Sequence, residues 1–513
     1  MHTLNNMRRI VWPCLIGGSL LTCLLFLGTQ LRLLGIDMMR DYGEGHTLWM
    51  SQQITNLSIA YKPLDGLPYI IFPYPPLYLI VSKAVSLGIG DLLLAGRSVS
   101  LISTLGMASV VAMLVFRIIP SSFPRLWRLG SGALVAALVL STQSVIGWAS
   151  LMRVDMLGLM LMYGGLAVYI LAGRRESWQY FSVSLFVLAV FAKQTLLSAP
   201  VACAIFGLFA YPKTTIRVFG LAAVFGVLGL SVCNWLTDGG FLKNIVSYNL
   251  NPFSWEVVFA QFYSHLGLNI TLKLLLSTAA LIAFWNRKCI QRIGLRRFVS
   301  MKSKQFYSKT ILIVTLNSGF AGMLAISIGK MGSIYNFFLA WDISLCLLTS
   351  LFVFRLLATW RTQHRQSASY PYVLFFLLIL LFLPSRRTIS IVAEDFENQI
   401  KQEARLVGVI QATPGPVLSD NMLIIYKAGR KMEVEPATIS FLAMAGGWDQ
   451  SPYLHLFETH YFSLIVTTPL KSTMRYSPEA IQSIEKNYLI EREIGGYLIY
   501  RPRASEKQVG DKF

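Results

Sequence analysis

Charge is what this sequence has least of. Charged side chains make up 14% of its 513 residues and hydrophobic ones 54%, whereas a soluble domain averages about 25% charged. That scarcity excludes an ordinary water-soluble enzyme and a disordered chain. Acidic residues are the scarcer sign: 25 Asp and Glu stand against 45 Lys and Arg, a formal net charge of +20. Cysteine is sparse as well. The six (Cys14, Cys23, Cys203, Cys233, Cys289 and Cys346) lie in apolar runs or in one basic stretch. No disulfide framework and no cysteine-based metal site is therefore expected.

An apolar, basic chain is either a binder of nucleic acid or anionic surfaces, or a polytopic membrane protein with its cations on one side. The position of the charge separates the two. Residues 385–513 carry 15 basic and 15 acidic side chains, while residues 1–384 carry 30 and 10. Within the first part the charges fall between apolar runs near the ~20 residues that a spanning helix needs. These runs predict about eleven spans, near 11–33, 97–116, 130–149, 155–172, 179–194, 195–211, 217–236, 266–285, 310–328, 337–357 and 370–384.

The cations then alternate sides. Arg8, Arg9, Arg117, Arg125, Arg128, Arg174, Arg175, Lys213, Arg217, the basic stretch from Arg287 to Lys309, Arg355, Arg361 and Arg365 all fall on one side, with Glu176 as the one acid among them. The positive-inside rule makes that side cytoplasmic. It predicts a cytoplasmic N-terminus, held by a signal anchor and not a cleaved leader, and a C-terminal region outside. Scattered short basic loops do not make a nucleic-acid surface. The stretch from 287 to 309 reads as a topology signal lying on anionic lipid.

The outer side then collects the unusual residues. Loop one, 35–96, is long for a connection, and long loops are often functional. It opens on Asp41-Tyr42-Gly43-Glu44-Gly45. Asp41 and Glu44 are three apart, a spacing that shares a face on a helical turn, and they suit a general base, a metal-ligand pair or a solvated turn alike. Pro75 and Pro76 fit the start of a helix, and the run 76–88 is too short to span, so it reads as an interfacial helix. Arg97, the Arg153-Val154-Asp155 turn, Lys193-Gln194 and the Gly329–Asn336 loop follow at outer ends of spans. Arg153 with Asp155 also reads as a structural pair, and Lys193 as a snorkelling lysine. His265, a lone histidine, reads as structural. Two carboxylates and several cations at one membrane surface suit an anionic lipid-linked ligand and an acid–base step.

The C-terminal region reads as a small α/β domain. Strands are expected at 417–419, 462–466, 488–493 and 496–501, and a helix to about Lys486 opens at Ser477-Pro478-Glu479. Gly446-Gly447-Trp448-Asp449 suits either a carbohydrate contact or a packed tryptophan. Acceptor binding or stability, not chemistry, is the expected role of this domain.

The ordered set Asp-Tyr-Gly-Glu-Gly (41–45), Pro-Tyr-Pro-Pro-Leu-Tyr (73–78), Ala-Gly-Arg-Ser-Val-Ser (95–100), Arg-Val-Asp (153–155), Ala-Lys-Gln-Thr (192–195) and Gly-Ser-Ile-Tyr-Asn-Phe-Phe-Leu (332–339) resembles the GT-C superfamily of integral-membrane glycosyltransferases. The branches it is most similar to are the protein O-mannosyltransferases, the aminoarabinose transferases and the rhizobial lipopolysaccharide sugar transferases. The resemblance covers about residues 1–384 and implies a polytopic transmembrane bundle there; with the small α/β domain read over 385–513, expected outside the membrane, the fold is mostly α. It implies inverting transfer of a sugar from a polyprenyl-phosphate-linked donor to a lipid, glycan or protein acceptor on the extracytoplasmic face. Asp41 is then the catalytic base, with Glu44 orienting it or the acceptor, or binding a metal. Arg97, Arg153, Lys193 and Lys330 become candidates for the donor phosphate. Asp155, Gln194, Tyr335 and Asn336 become candidates for substrate contacts. A divalent metal is found in several relatives, but the pattern assigns it no ligands here. A transporter or flippase of a lipid-linked substrate is the rival reading; it predicts broken helices and charges at mid-membrane.

Overall fold

The computed structural model of the chain describes residues 2–173, 175–267, 270–271, 273–275, 277–278, 306–362, 396–471 and 474–503. Helices dominate. In chain order they include α1 (His2–Leu34), α2 (Tyr42–Gln53), α3 (Leu77–Ile89), α4 (Leu92–Ile118), α5 (Arg125–Leu140), α6 (Gln143–Trp148), α7 (Asp155–Ala172), α8 (Glu176–Ala192), α9 (Ser198–Ala210) and α10 (Pro212–Leu236). After them come α11 (Gly240–Ile245), α12 (Trp255–His265), α13 (Phe306–Ala325) and α14 (Leu339–Thr362).

Six stretches among the described residues are long and apolar enough to cross a membrane: 13–34, α4, α7, α10, 307–329 and 335–355. They coincide with six of the runs expected from hydropathy. Their outward faces carry large apolar side chains, such as Leu24 and Leu25 on α1 and Phe225 and Val227 on α10, each about 60% or more exposed. Water would not tolerate so wide an apolar surface; hydrocarbon does. The runs at 179–194 and 195–211 form the shorter helices α8 and α9. The run at 370–384 lies outside the described residues, as do most of 266–285, the boundary at 384, Cys289 and the basic residues from Arg287 to Lys304.

Two sequence expectations need correction. The run at 130–149 is not one helix but α5 and α6, divided at Ser141 and Thr142. The Thr142 hydroxyl folds back on the Leu138 carbonyl at 2.8 Å, and the Lys273 ammonium binds Thr142 Oγ1 at 2.9 Å. Such back-bonding competes with the helix ladder. Lys309, expected as a loop cation, is 2% exposed. Its Nζ donates to the Ile170 carbonyl at 2.9 Å, near the C-terminus of α7, where a positive charge meets unsatisfied carbonyls.

Loop one carries the site. Its short apolar helix is α3, which opens after Pro76 and ends on Gly90 at φ +83°, a left-handed cap that glycine adopts without cost. Tyr78 and Leu79 are buried, whereas Leu87 and Ile89 face outward. The C-terminal region contributes α15 (Glu397–Ala412), α16 (Met422–Lys427), α17 (Pro436–Met444), α18 (Ser451–Glu458) and α19 (Pro478–Asn487). Its sheet holds β1 (Val417–Ser419), β2 (Leu464–Thr467), β3 (Tyr488–Ile494) and β4 (Tyr497–Pro502), in the order β1-β2-β4-β3. The β1–β2 pair is parallel and the other two pairs are antiparallel. Ser477 caps α19 through Ala480 N, with Pro478 in the first turn, as the sequence pattern predicts.

This region shares its cores with loop one. Met422, Leu423, Ile425 and Met432 pack in one cluster with Leu48, Trp49, Phe72 and Tyr78. Leu64, Tyr69 and Ile71 of the loop enter the cluster built on Leu418, Ile465 and Tyr453. The backbones meet too: Tyr69 N donates to the Glu433 carbonyl and Glu435 N to the Tyr69 carbonyl. Trp448 is a packed tryptophan, with Nε1 on the Leu64 carbonyl at 3.2 Å and its ring 5.3 Å from that of Tyr69.

Candidate active site

Each residue of Asp41-Tyr42-Gly43-Glu44-Gly45 has a separate task. Asp41 is the N-cap of α2, in extended backbone at φ −145°, and its Oδ1 accepts from Gly43 N. Small carboxylates suit that position because they satisfy an orphan amide. The same oxygen lies 3.2 Å from Arg153 Nη1. Gly43 makes room for this pair, since a Cβ there would fall 1.2 Å from Arg153 Nη1. Gly45 faces the C-terminal region; a Cβ there would sit 2.8 Å from Leu423 N. The Tyr42 hydroxyl donates to Glu435 of the C-terminal region.

Glu44 is fully buried, and it is paired. Arg97 grips it from both sides, Nε to Oε1 at 2.8 Å and Nη2 to Oε2 at 2.7 Å. The amides of Met152 and Arg40 complete the shell at 3.0 and 2.9 Å. Burial alone would push this carboxyl up, but Arg97, Arg40 and the Met152 amide outweigh it and hold it below the usual range. Arg97 spends its remaining reach on the carbonyls of Ile36 and Met38. The pair thus ties the end of α1, the start of α2 and α4 together. Burial, and then the Glu435 carboxylate, push the Tyr42 phenol well above its ordinary range, so it remains a donor. His46 is held below its ordinary value by burial, with Nε2 on the Ile71 carbonyl at 2.7 Å.

The turn from Ser150 to Asp155 is where the other elements meet. Ser150 accepts from Arg40, the Met152 amide binds Glu44, and the Arg153 carbonyl takes Ser100 Oγ. Arg153 does not pair with Asp155; it pairs with Asp41, and its Nη2 reaches the Tyr74 hydroxyl at 3.5 Å. Asp155 pairs instead with Lys193 at 2.5 Å and accepts from Asn336 Nδ2 at 3.1 Å. Lys193 is 4% exposed and lies over the Phe337 ring, so it does not snorkel. Gln194 Nε2 donates to the Pro73 and Ile245 carbonyls. Asp41, Glu44, Arg97, Arg153, Asp155, Lys193 and Asn336 are therefore joined through one turn.

Lys330 and Tyr335 stand apart from that network. Lys330 is half-buried, in a backbone bridge to Phe253, and makes no ion pair among the described residues. The Tyr335 hydroxyl lies 3.5 Å from Ser264 Oγ. His265 is structural in form: it stacks on Phe338 at 3.9 Å and pairs with the buried Asp342 at 2.9 Å.

The sequence reading missed the C-terminal contribution. Glu435 is fully buried and accepts from Tyr42, Ala437 N and Thr438 N. Arg475 lies 4.3 Å from the Tyr42 ring centre and pairs with Asp420 at 2.7 Å. Glu403 accepts from Met39 N, and Lys427 binds Asp37. One signal was present: Glu435-Pro436 is an acidic cap followed by a first-turn proline, the same pattern as Ser477-Pro478.

No protein-family model and no curated protein matches the chain. Solved structures do. ArnT from Cupriavidus metallidurans, crystallised with undecaprenyl phosphate, superposes at a TM-score of 0.57 and 12% identity, over 95% of this chain and 98% of its own. This chain has the GT-C fold. The apo oligosaccharyltransferase of Archaeoglobus fulgidus gives a TM-score of 0.55 at 12% identity, over 96% of this chain and 75% of that one. The same enzyme in complex with Zn and sulfate gives 0.50 at 12% identity, over 92% and 71%. The fold and the six apolar helices make the chain an integral membrane protein.

Among the described residues no three His, Cys, Asp or Glu side chains converge. Asp41, Glu44 and Asp155 each already hold a cationic side chain.

Proposed function

We propose that the chain is an inverting membrane glycosyltransferase. It moves a hexosyl or pentosyl group from a polyprenyl-phosphate-linked donor to a lipid, glycan or protein acceptor on the extracytoplasmic face. The proposal includes about eleven spans, a cytoplasmic N-terminus, a transmembrane domain over 1–384 and an extracytoplasmic domain over 385–513. Supporting it are the GT-C fold, the ordered motifs and the one-sided cations.

The observation that carries the mechanism is Asp41. Its Oδ1 is held by Gly43 N and Arg153, while Oδ2 accepts no hydrogen bond among the described residues and the side chain is 14% exposed. A fixed carboxylate with one free oxygen suits a general base. An acceptor hydroxyl gives its proton to Oδ2 as its oxygen bonds the anomeric carbon. The bond from that carbon to the phosphate oxygen breaks on the opposite face, and its electron pair leaves with the lipid phosphate. Arg153 and Lys330 contact that phosphate. Arg97 and Lys193, each bound to its own carboxylate, act mainly by holding Glu44 and Asp155 in place. Tyr335 and Asn336 line the donor side.

The test is Asp41→Asn in membranes supplied with labelled donor. The expected result is normal insertion and folding with transfer abolished. Transfer at the wild-type rate overturns the assignment of the base, and movement of intact labelled lipid without cleavage replaces the transferase by a transporter.

A further inference from the structure

The turn at Asp155 holds more acceptors than it uses. Among the described residues, Asp155 Oδ2, Asn336 Oδ1 and Gln194 Oε1 are buried oxygens with no hydrogen-bond partner, and Arg153 Nε is a buried donor with none. Asp155 and Asn336 are 2% and 7% exposed. Buried polar atoms are nearly always paired in folded proteins, because an orphan loses its water without replacement. Orphans gathered on neighbouring residues mark a place where something else supplies the partners.

These residues are neighbours by contact. Asn336 Nδ2 binds Asp155 Oδ1, so its Oδ1 is the atom left over beside that carboxylate. Lys193 is spent on the same Oδ1. Gln194 is fixed on the Pro73 carbonyl, and the adjoining Tyr74 meets Arg153. The unmet demand is thus three acceptors against one donor. Its two ionic members are already matched, Asp155 by Lys193 and Arg153 by Asp41, and Arg153 Nε is the one donor left among them.

We infer that this cluster belongs to the sugar subsite, and that it takes a non-anionic glycosyl group that presents hydrogen-bond donors to Asp155 and Asn336. Hydroxyls of a neutral sugar or the ammonium of an amino sugar satisfy the orphan oxygens. A uronic acid does not, since its carboxylate meets oxygens only, one of them charged. Arg153 Nε is left for the phosphoryl oxygen. The inference rests on the polyprenyl-phosphate reading above and adds the class of sugar.

The experiment is a binding series on the full chain in vesicles, against bare polyprenyl phosphate and its hexosyl, aminohexosyl and hexuronosyl derivatives. The wild type should bind the hexosyl or the aminohexosyl lipid about tenfold or more tighter than the bare lipid, as expected for two satisfied buried oxygens, and the larger gain identifies the natural class. The hexuronosyl lipid should show no gain. In Asn336→Leu the ratio of sugar-bearing to bare lipid should fall towards one. A gain for the hexuronosyl lipid, or bare-lipid binding with no gain for either other sugar, overturns the inference alone. Absence of bare-lipid binding overturns the donor reading, and the inference with it. The wild-type series decides even if the variant fails to fold.

Discussion

Asp41 and Glu44 are three residues apart, yet they sit in opposite surroundings. Glu44 is fully buried, with both oxygens taken by a bidentate arginine and two amides. Asp41 is partly exposed, with one oxygen tied down and the other free of hydrogen bonds among the described residues. A carboxylate saturated with donors is held in its charged form and has nothing left to accept a proton. A carboxylate held at one oxygen is oriented and still available. The contrast separates a group that builds the site from one that works in it.

The largest effect is expected at the free oxygen. Asp41→Asn should lower the transfer rate by a factor of about 10² to 10⁴, the usual worth of a positioned base, while the unfolding temperature in detergent stays near the wild type. A comparable loss of stability and of rate would place Asp41 with Glu44.

Glu44→Gln should do the reverse. It leaves Arg97 buried and poorly matched, which typically costs about 3–5 kcal/mol. Detergent-solubilised protein should unfold earlier, with activity falling in step with the folded fraction. The sign with pH follows from a carboxyl held below its usual range in the folded state. Its contribution is complete above about pH 4.3, the unfolded value, and is lost as pH falls through the lower folded value. The stability gap between wild type and variant, followed by thermal unfolding, should therefore be full at neutral pH and narrow only in acid. A gap unchanged by acid would mean that Glu44 is not held as its carboxylate.

The two glycines of the motif sharpen the same division. Alanine in place of glycine normally favours a helix by up to ~1 kcal/mol, so any loss reports a clash. Gly43→Ala drives the guanidinium of Arg153 off Asp41 and should cut activity more than stability. Gly45→Ala meets the backbone of Leu423 and should loosen the C-terminal region, read as faster proteolysis within 396–503. Equal effects of the two on both readouts would remove the distinction.

Much of this was legible from the sequence. Hydropathy located the six long helices, and Ser477-Pro478 located the start of α19, because both signals are local. The ionisable residues of the site were visible as a set, because ionisable groups in so apolar a chain need partners. Their pairing was not. Arg153 stands two residues from Asp155 but binds Asp41, and Asp155 binds Lys193. Those partners are fixed by how α2, α4, α7 and the turn after α8 cross in space, which no periodicity encodes. The break at Thr142 was hidden for a similar reason. It depends on Lys273, a long way along the chain. Glu435 was missed because its role comes from docking against Tyr42.

That docking provides the smallest of the predicted effects. Tyr42 follows Asp41 directly, and its hydroxyl is the link from the α2 N-terminus to a buried carboxylate of the C-terminal region. The ring is also covered by Arg475, which Asp420 holds. Tyr42→Phe keeps the ring and its cation contact and deletes one hydrogen bond, leaving Glu435 with its backbone donors Ala437 N and Thr438 N. The expected loss is about 1–2 kcal/mol in stability, seen as a modest drop in unfolding temperature. If the C-terminal region only braces the fold, the rate per folded molecule should not change. If it helps to aim Asp41, that rate should fall several-fold with KM unchanged, whereas Glu435→Gln alone, whose amide oxygen still accepts from the native Tyr42, should keep most of the wild-type rate. The pair of variants thereby decides whether the boundary between building and working residues runs between Asp41 and Glu44 alone, or also passes through Tyr42 into the neighbouring domain.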